Sequence, residues 1–171
     1  MLDISTFRAV VKNAPLVSID LCIIYNGQIL LGHRNNEPLK GTWFTPGGRI
    51  LKNETYFDCL RRVARSELGL TDEDAKQARL MGIWDHFYSN SAFSETTTTH
   101  YVNLPHYICI EKKPNLILDE QHTEMSWFDL SVVAHGSNFH EYMRAYAAWL
   151  LSKGFESAPS APSVNALSRL S

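Results

Sequence analysis

A chain of 171 residues, 44% apolar and 20% charged, has the composition of one ordinary globular domain with enough length to bury a core. Sixteen basic against eighteen acidic side chains leave a formal net charge of −2, which supplies no electrostatic reason to bind a nucleic-acid backbone. No apolar run approaches the roughly 20 residues that span a bilayer, and Met1-Leu2-Asp3-Ile4-Ser5 lacks the basic opening and apolar stretch of a signal peptide. Cys22, Cys59 and Cys109 are odd in number and far apart, so they read as reduced core residues rather than as a disulfide frame or a zinc site. A cytoplasmic protein with neither nucleic acid nor membrane as partner is the expectation.

In chain order, Leu16 to Tyr25 is a β-branched, apolar run that predicts a strand. Asn26-Gly27 followed by Gln28 to Leu31 predicts a hairpin, because both turn residues must take positive φ. Gly32 to Gly41 reads as a polar connection. Trp43-Phe44-Thr45 then enters Pro46-Gly47-Gly48, which reads as a turn incompatible with a strand interior. Phe57, Leu60, Ala64 and Leu68 recur three and four residues apart and predict an amphipathic helix over Thr55 to Leu68, with Asn53 or Thr55 as its N-cap and Gly69 as its stop. Leu80 to Trp84 reads as a short strand and Ser89 to Thr99 as a mobile polar loop. Tyr101 to Ile110 reads as a strand that Pro105 assigns to an edge or a bulge. Met125 to Leu130 predicts one more strand, and Asn138 to Lys153 a second helix stopped by Gly154. Ser, Ala and Pro dominate Ser157 to Ser163, so a disordered tail over 155–171 is expected behind a domain over 1–154. Strands interleaved with helices predict a mixed α/β sandwich.

The informative segment is Gly48-Arg49-Ile50-Leu51-Lys52-Asn53-Glu54, then seven residues, then Arg62-Val63-Ala64-Arg65-Ser66-Glu67-Leu68-Gly69-Leu70. It resembles the Nudix box, with Gly48, Glu54, Arg62, Glu67, Gly69 and Leu70 at matching spacings. The box glutamates of that superfamily fall at Val63, Ser66 and Glu67, which share one helix face, and here only Glu67 is a carboxylate. One carboxylate does not assemble a multi-metal clamp, whereas a single Mg²⁺ is commonly held by one or two protein ligands plus substrate phosphates.

A depleted box of this kind is similar to that of the GDP-mannose mannosyl hydrolase branch of the superfamily. The likeness extends over roughly residues 5 to 150 through Pro15 to Asp20, Leu30 to Arg34, Gly41 to Arg49, Trp84 to Tyr88, Thr98 to Val102 and Asp119 to His122. The resemblance implies a Nudix α/β/α sandwich with a mixed sheet and a homodimer. It implies Mg²⁺-dependent hydrolysis of GDP-mannose, with GDP-glucose as a second substrate, by water attack at the anomeric carbon with inversion. One Mg²⁺ per site, with Mn²⁺ as a substitute, would be held by Glu67, the side chain of Gln121 and the carbonyl of Gly47. Arg34 and Arg49 are the candidates for the diphosphate, since planar guanidinium forks suit phosphate oxygens. His122 is the candidate base for the attacking water, because imidazole accepts a proton near neutrality and His122 adjoins Gln121. Glu120 is the rival base. Asp20, at an otherwise apolar strand position, is assigned near the sugar or its leaving group, and Tyr101 near the diphosphate. His86 and His100 fall in matched segments expected to line the pocket, while His33, His106, His135 and His140 read as solvated. Glu54 and Arg62 read as a structural pair. Trp43, Phe44, Trp84 and the tyrosines of the last helix read as core or dimer contacts. Two alternatives stay open: a Nudix pyrophosphohydrolase releasing GMP and sugar 1-phosphate, and a catalytically silent nucleotide-sugar binding module.

Overall fold

The structure is a computed structural model that describes residues 3–114 and 122–156, with only the backbone of His122 and Thr123. The rival base Glu120, the expected metal ligand Gln121, and residues 157–171 of the expected tail lie outside the described residues. Helix α1 (Ile4–Asn13) leads into strands β1 (Leu16–Tyr25), β2 (Gln28–Arg34), β3 (Trp43–Phe44) and β4 (Gly47–Arg49). Helices α2 (Tyr56–Leu68) and α3 (Asp72–Lys76) follow, then β5 (Arg79–Leu80), β6 (Trp84–Tyr88), β7 (Thr99–Cys109) and β8 (His122–Asp129). Helices α4 (Leu130–His135) and α5 (Glu141–Ser152) complete the fold.

The β1–β2 hairpin forms as expected, with Asn26 at φ 46° and Gly27 at φ 73°. It is zipped only next to its turn, at Ile24↔Ile29 and Tyr25↔Gln28. Farther out the two strands part. β3 then pairs with β2 at Gly32 and His33, and β4 pairs with β1 from Ser18 to Asp20. The opposite edge of β2 carries β8, and β7 runs parallel to β1 from Leu16 to Ile24, so the sheet is mixed. Alternation along β1 builds two cores. Ile19, Leu21 and Ile23 pack with Cys59, Leu60, Val63, Ala64 and Leu68 of α2. Cys22 and Ile24 pack with Leu130 and Val133 of α4 and with Met143, Tyr146 and Leu150 of α5. The expected α/β/α sandwich results. Among the described residues, no helix is long and apolar enough to cross a membrane.

Several local expectations are corrected. Gly47 and Gly48 belong to β4 rather than to a turn, because a glycine lets the chain approach β1 where a side chain cannot. A Cβ on Gly47 would stand 2.5 Å from Asp20 Oδ1 and 2.6 Å from the Ile19 carbonyl. Leu80 to Trp84 is not one strand: β5 ends at Leu80, β6 begins at Trp84, and Ile83 between them is 73% exposed. β7 is central rather than an edge, and of the two readings of Pro105 the bulge stands: the pairing shifts by one residue between Leu80↔His106 and Trp84↔Asn103. Pro105 is tolerated there because its carbonyl accepts from Met81 N at 2.8 Å, so its missing N–H falls in the gap between β5 and β6. The last helix starts at Glu141 with His140 as N-cap, behind a separate α4 that the periodicity did not resolve. Cys22 and Cys59 are buried, but Cys109 is exposed.

Helix α2 carries the box, and its ends are set as the sequence predicts. Thr55 Oγ1 accepts from Asp58 N at 3.1 Å, and Gly69 closes the helix in the left-handed conformation at φ 61°. Thr55→Ala should lower stability by about 1 kcal/mol, seen as a lower urea midpoint with an unchanged denaturant slope.

Candidate active site

The parting of β1 and β2 brings three elements to one place: Asp20 from β1, Gly47 from β4 and Glu67 from the end of α2. Asp20 pairs with Gly47 in the ladder, and Gly47 N–H donates to Glu67 Oε2 at 3.2 Å. Glu67 is 5% exposed, so it is not a solvated helix charge. The contact seen runs through the N–H of Gly47, not through the carbonyl expected to meet a metal. Glu54 and Arg62 form the structural pair foreseen for them. Arg62 grips Glu54 in two bonds of 2.7 and 2.9 Å and donates to the Arg49 carbonyl at 2.9 Å. The Arg62 guanidinium holds the Glu54 carboxyl below its ordinary range.

Asp20 faces the α5 side of the sheet and enters a buried polar network. Its Oδ2 accepts from Asn103 Nδ2 at 2.8 Å and from the Tyr146 hydroxyl at 3.0 Å. The Tyr146 oxygen also lies 3.2 Å from His86 Nε2, and His86 Nδ1 lies 3.3 Å from the Tyr88 hydroxyl and 3.5 Å from Asn103 Nδ2. One neutral tautomer satisfies every contact: Nε2–H donates to Tyr146, and Nδ1 accepts from Tyr88 and Asn103. Tyr142 stacks on the imidazole, ring centroids 3.8 Å apart. Burial pushes the Asp20 carboxyl up to about 7, against the opposing pull of Tyr146, Asn103 and the Arg34 charge. Burial, aided by His140, pushes His86 down to about 4.

The arginines flank this network. Arg34 Nε donates to the Pro38 carbonyl at 3.1 Å, and the Arg34 charge acts on Asp20, Tyr88 and Tyr101. Arg49 acts on Tyr101 and stacks its guanidinium 4.0 Å above the Phe7 ring of α1, whose edge meets Phe93 at 5.4 Å. Burial raises the Tyr101 phenol, while both arginines draw it back. The backbone of His122 pairs with Arg34 across the β2–β8 ladder. The remaining histidines divide differently from the expectation. His100 stands on the face opposite His86, paired with Asp85 at 3.1 Å. His106 is buried rather than solvated, with Nδ1 donating to the Leu104 carbonyl at 2.8 Å.

Among the described residues, no three His, Cys, Asp or Glu side chains gather as a metal cluster. The buried Glu67 carboxylate beside the Gly47 backbone nevertheless fits Mg²⁺, which takes oxygen donors, retains waters and leans on substrate phosphates.

Comparison with known proteins follows the same lines. The NUDIX domain family profile matches residues 15–150. The chain belongs to the Nudix family. It is 38% identical over 140 residues to the low-salt glycan biosynthesis protein Agl8 of Haloferax volcanii, covering 82% of this chain and 85% of that protein. In fold it is similar to a MutT protein from Methanosarcina mazei Go1 at 20% identity and TM-score 0.66, covering 83% of this chain and 97% of that one. It is likewise similar to the NUDIX domain of Shewanella oneidensis NrtR complexed with ADP ribose, at 16% identity and TM-score 0.64, covering 89% and 93%.

Within this Nudix domain the two altered box positions differ in kind. Val63 is fully buried, packed in the α2 core and 3.3 Å from where a Cβ on Gly48 would stand. Ser66 is exposed. Sequence reasoning missed Tyr146, Tyr142, Tyr88 and Asn103 as neighbours of the site. The helix tyrosines lie far from any motif, and only the parallel β1–β7 pairing carries Asn103 beside β1.

Two outcomes follow from this geometry. Val63→Glu should destabilise the protein by several kcal/mol, on the order of a buried unpaired carboxylate, whereas Ser66→Glu should stay within about 0.5 kcal/mol of the parent in urea unfolding. The second concerns pH. With its carboxyl raised in the fold, Asp20 contributes stability that is full below about pH 4 and lost as pH rises to 7. With its imidazole depressed, His86 contributes stability that is full above about 6.5 and lost as pH falls to 4. Between those limits the fold keeps one proton on Asp20 and the unfolded chain keeps one on His86, so the pair adds no slope. Relative to the parent, Asp20→Asn should make stability rise with pH by about 1.4 kcal/mol per unit between pH 4 and 6.5, and His86→Phe should make it fall at a similar rate. Unfolding series at pH 4.5, 5.5 and 6.5 measure both slopes.

Proposed function

We propose that this Nudix hydrolase is a nucleotide-sugar hydrolase that cleaves GDP-mannose, and GDP-glucose as a second substrate, to GDP and free sugar. The observation that supports this most is the state of the box: Glu67 is the one carboxylate kept among its three glutamate positions, buried against Gly47, while Val63 is built into the core. That arrangement suits one divalent ion shared with a diphosphate better than a cluster acting at phosphorus. The similarity to a glycan biosynthesis protein fits a sugar nucleotide.

In this reaction Arg34, Arg49 and the Tyr101 hydroxyl bind the diphosphate, and His86 with Asp20 lines the sugar end. Glu67, Gly47 and Gln121 would hold Mg²⁺, which when bound neutralises charge growing on the departing diphosphate. A water oxygen bonds to the anomeric carbon from the face opposite GDP. The bond from that carbon to the β-phosphate oxygen breaks, and its electron pair leaves with GDP. His122 takes the water's proton, and the sugar is released with inverted configuration. A nucleoside diphosphate leaves as a stabilised anion, so the acid of the usual glycosidase pair is dispensable.

Incubation with GDP-mannose and Mg²⁺ followed by phosphorus NMR tests the reaction. GDP with free mannose is expected; GMP with mannose 1-phosphate would show chemistry at phosphorus, and binding without turnover would mark a silent module. In the same assay His122→Gln should lower kcat by roughly 10²–10⁴-fold, and near-normal turnover would remove its role as base.

A further inference from the structure

We infer that Tyr146 is a positioning residue for the reaction, its hydroxyl bridging Asp20 and His86 so that both are fixed relative to Gly47 of β4. The inference rests on the proposed reaction. Tyr146 is fully buried in the α5 core, and its ring meets Trp84 edge-on with centroids 5.0 Å apart. The place of its oxygen is therefore set by packing rather than by the groups it touches. From there the hydroxyl donates to Asp20 Oδ2 at 3.0 Å and accepts from His86 Nε2 at 3.2 Å.

A second observation points to orientation as the purpose. Asn103 is 3% exposed and spends its amide N–H₂ on Asp20 Oδ2 and His86 Nδ1, at 2.8 and 3.5 Å, while its Oδ1 is buried without a hydrogen-bond partner among the described residues. A buried acceptor left unpaired opposes stability and calls for an explanation. A flipped amide would set its oxygen against Asp20 Oδ2, which accepts from the Tyr146 hydroxyl, and against His86 Nδ1, the acceptor of the tautomer that donates to Tyr146, so the orientation seen is the one that holds Asp20 and His86. With Oδ2 gripped by Tyr146 and Asn103, Asp20 turns Oδ1 toward Gly47, where an added Cβ would stand 2.5 Å away. The carboxyl thus has one oxygen anchored in the α5 layer and one presented to Gly47 of β4. His86 is clamped alongside, by Tyr146 and Tyr88 in its plane and by Tyr142 on its face.

Tyr146→Phe keeps the ring and its packing and removes only the bridging oxygen. Displacing reacting groups by about 1 Å is enough for a 10²-fold loss. With GDP-mannose, kcat should fall about 10- to 100-fold while KM stays within about twofold, because the diphosphate contacts are untouched. Long-range proton–nitrogen NMR of the imidazoles, with His86 assigned by its loss in His86→Phe, should show the Nε2–H resonance shifted in Tyr146→Phe. A variant kcat within twofold of the parent, or an unshifted His86 resonance, would overturn the inference. If the parent itself does not turn over GDP-mannose, the proposed reaction fails. The imidazole spectrum then decides alone, a shifted Nε2–H upholding the bridge and an unshifted one rejecting it.

Discussion

The close approach of β4 to β1 at Gly47 is the constraint on which the rest of the site depends. β1 and β2 leave their hairpin zipped for two residue pairs and then diverge. The opening between them must be filled with backbone, or a row of ladder groups would be left buried and unpaired. β3 and β4 fill it, and at the Asp20–Gly47 pair there is no room for a side chain. Because β1 alternates, Asp20 reaches this point from the α5 face, while Glu67 reaches it from α2 on the other face. Two carboxylates from opposite layers of the sandwich thus meet at one strand residue, Gly47. Neither layer alone would bring them together.

The electrostatics follow from that placement. Asp20 is desolvated by the α5 core, and the partners given to it are neutral hydroxyl and amide donors rather than a cation in contact. Neutral donors orient a carboxylate without fully compensating its burial. That is why its carboxyl stays raised although it accepts two hydrogen bonds. Glu54, gripped by Arg62 near the surface, moves the other way. The same sandwich holds both behaviours, and the difference is the charge of the partner and the depth of the site.

Much of this was legible in the sequence wherever the controlling interaction is local. The Asn26-Gly27 hairpin, the Thr55 cap, the Gly69 stop and the Glu54–Arg62 brace are all decided within a few residues or by motif spacing. What was not legible depends on partners distant in the chain. Pro105 looked like an edge residue because the break between β5 and β6 that accommodates it is some twenty residues upstream. Gly47 looked like a turn residue because the reason for its missing side chain, Asp20, is on another strand. Tyr146 looked like packing because it is packing, and only its terminal oxygen, 126 residues from Asp20 in the chain, does anything else. The helical period reports which face is buried, not which polar atom meets it there.

The depleted box can be understood in the same physical terms. A glutamate at position 63 would have to lie in the layer that Cys59, Leu60, Ala64 and Leu68 form with β1, and valine there completes that core instead. At position 66 the side chain is exposed, so serine there neither builds nor blocks a core. The helix has therefore kept the one carboxylate whose position is tied to Gly47 of β4, while the first of its altered positions has been absorbed into packing. Such a helix end concentrates its charge at a single point beside Gly47. Under the proposed reaction, stabilising a whole diphosphate then falls to groups outside the helix, and Arg34 and Arg49 stand at the ends of β2 and β4. Reducing the carboxylates on α2 lowers the repulsion that an anionic substrate meets, and the two arginines raise the attraction. Under the proposed reaction, such a site serves the charge on a leaving group rather than attack at its phosphorus.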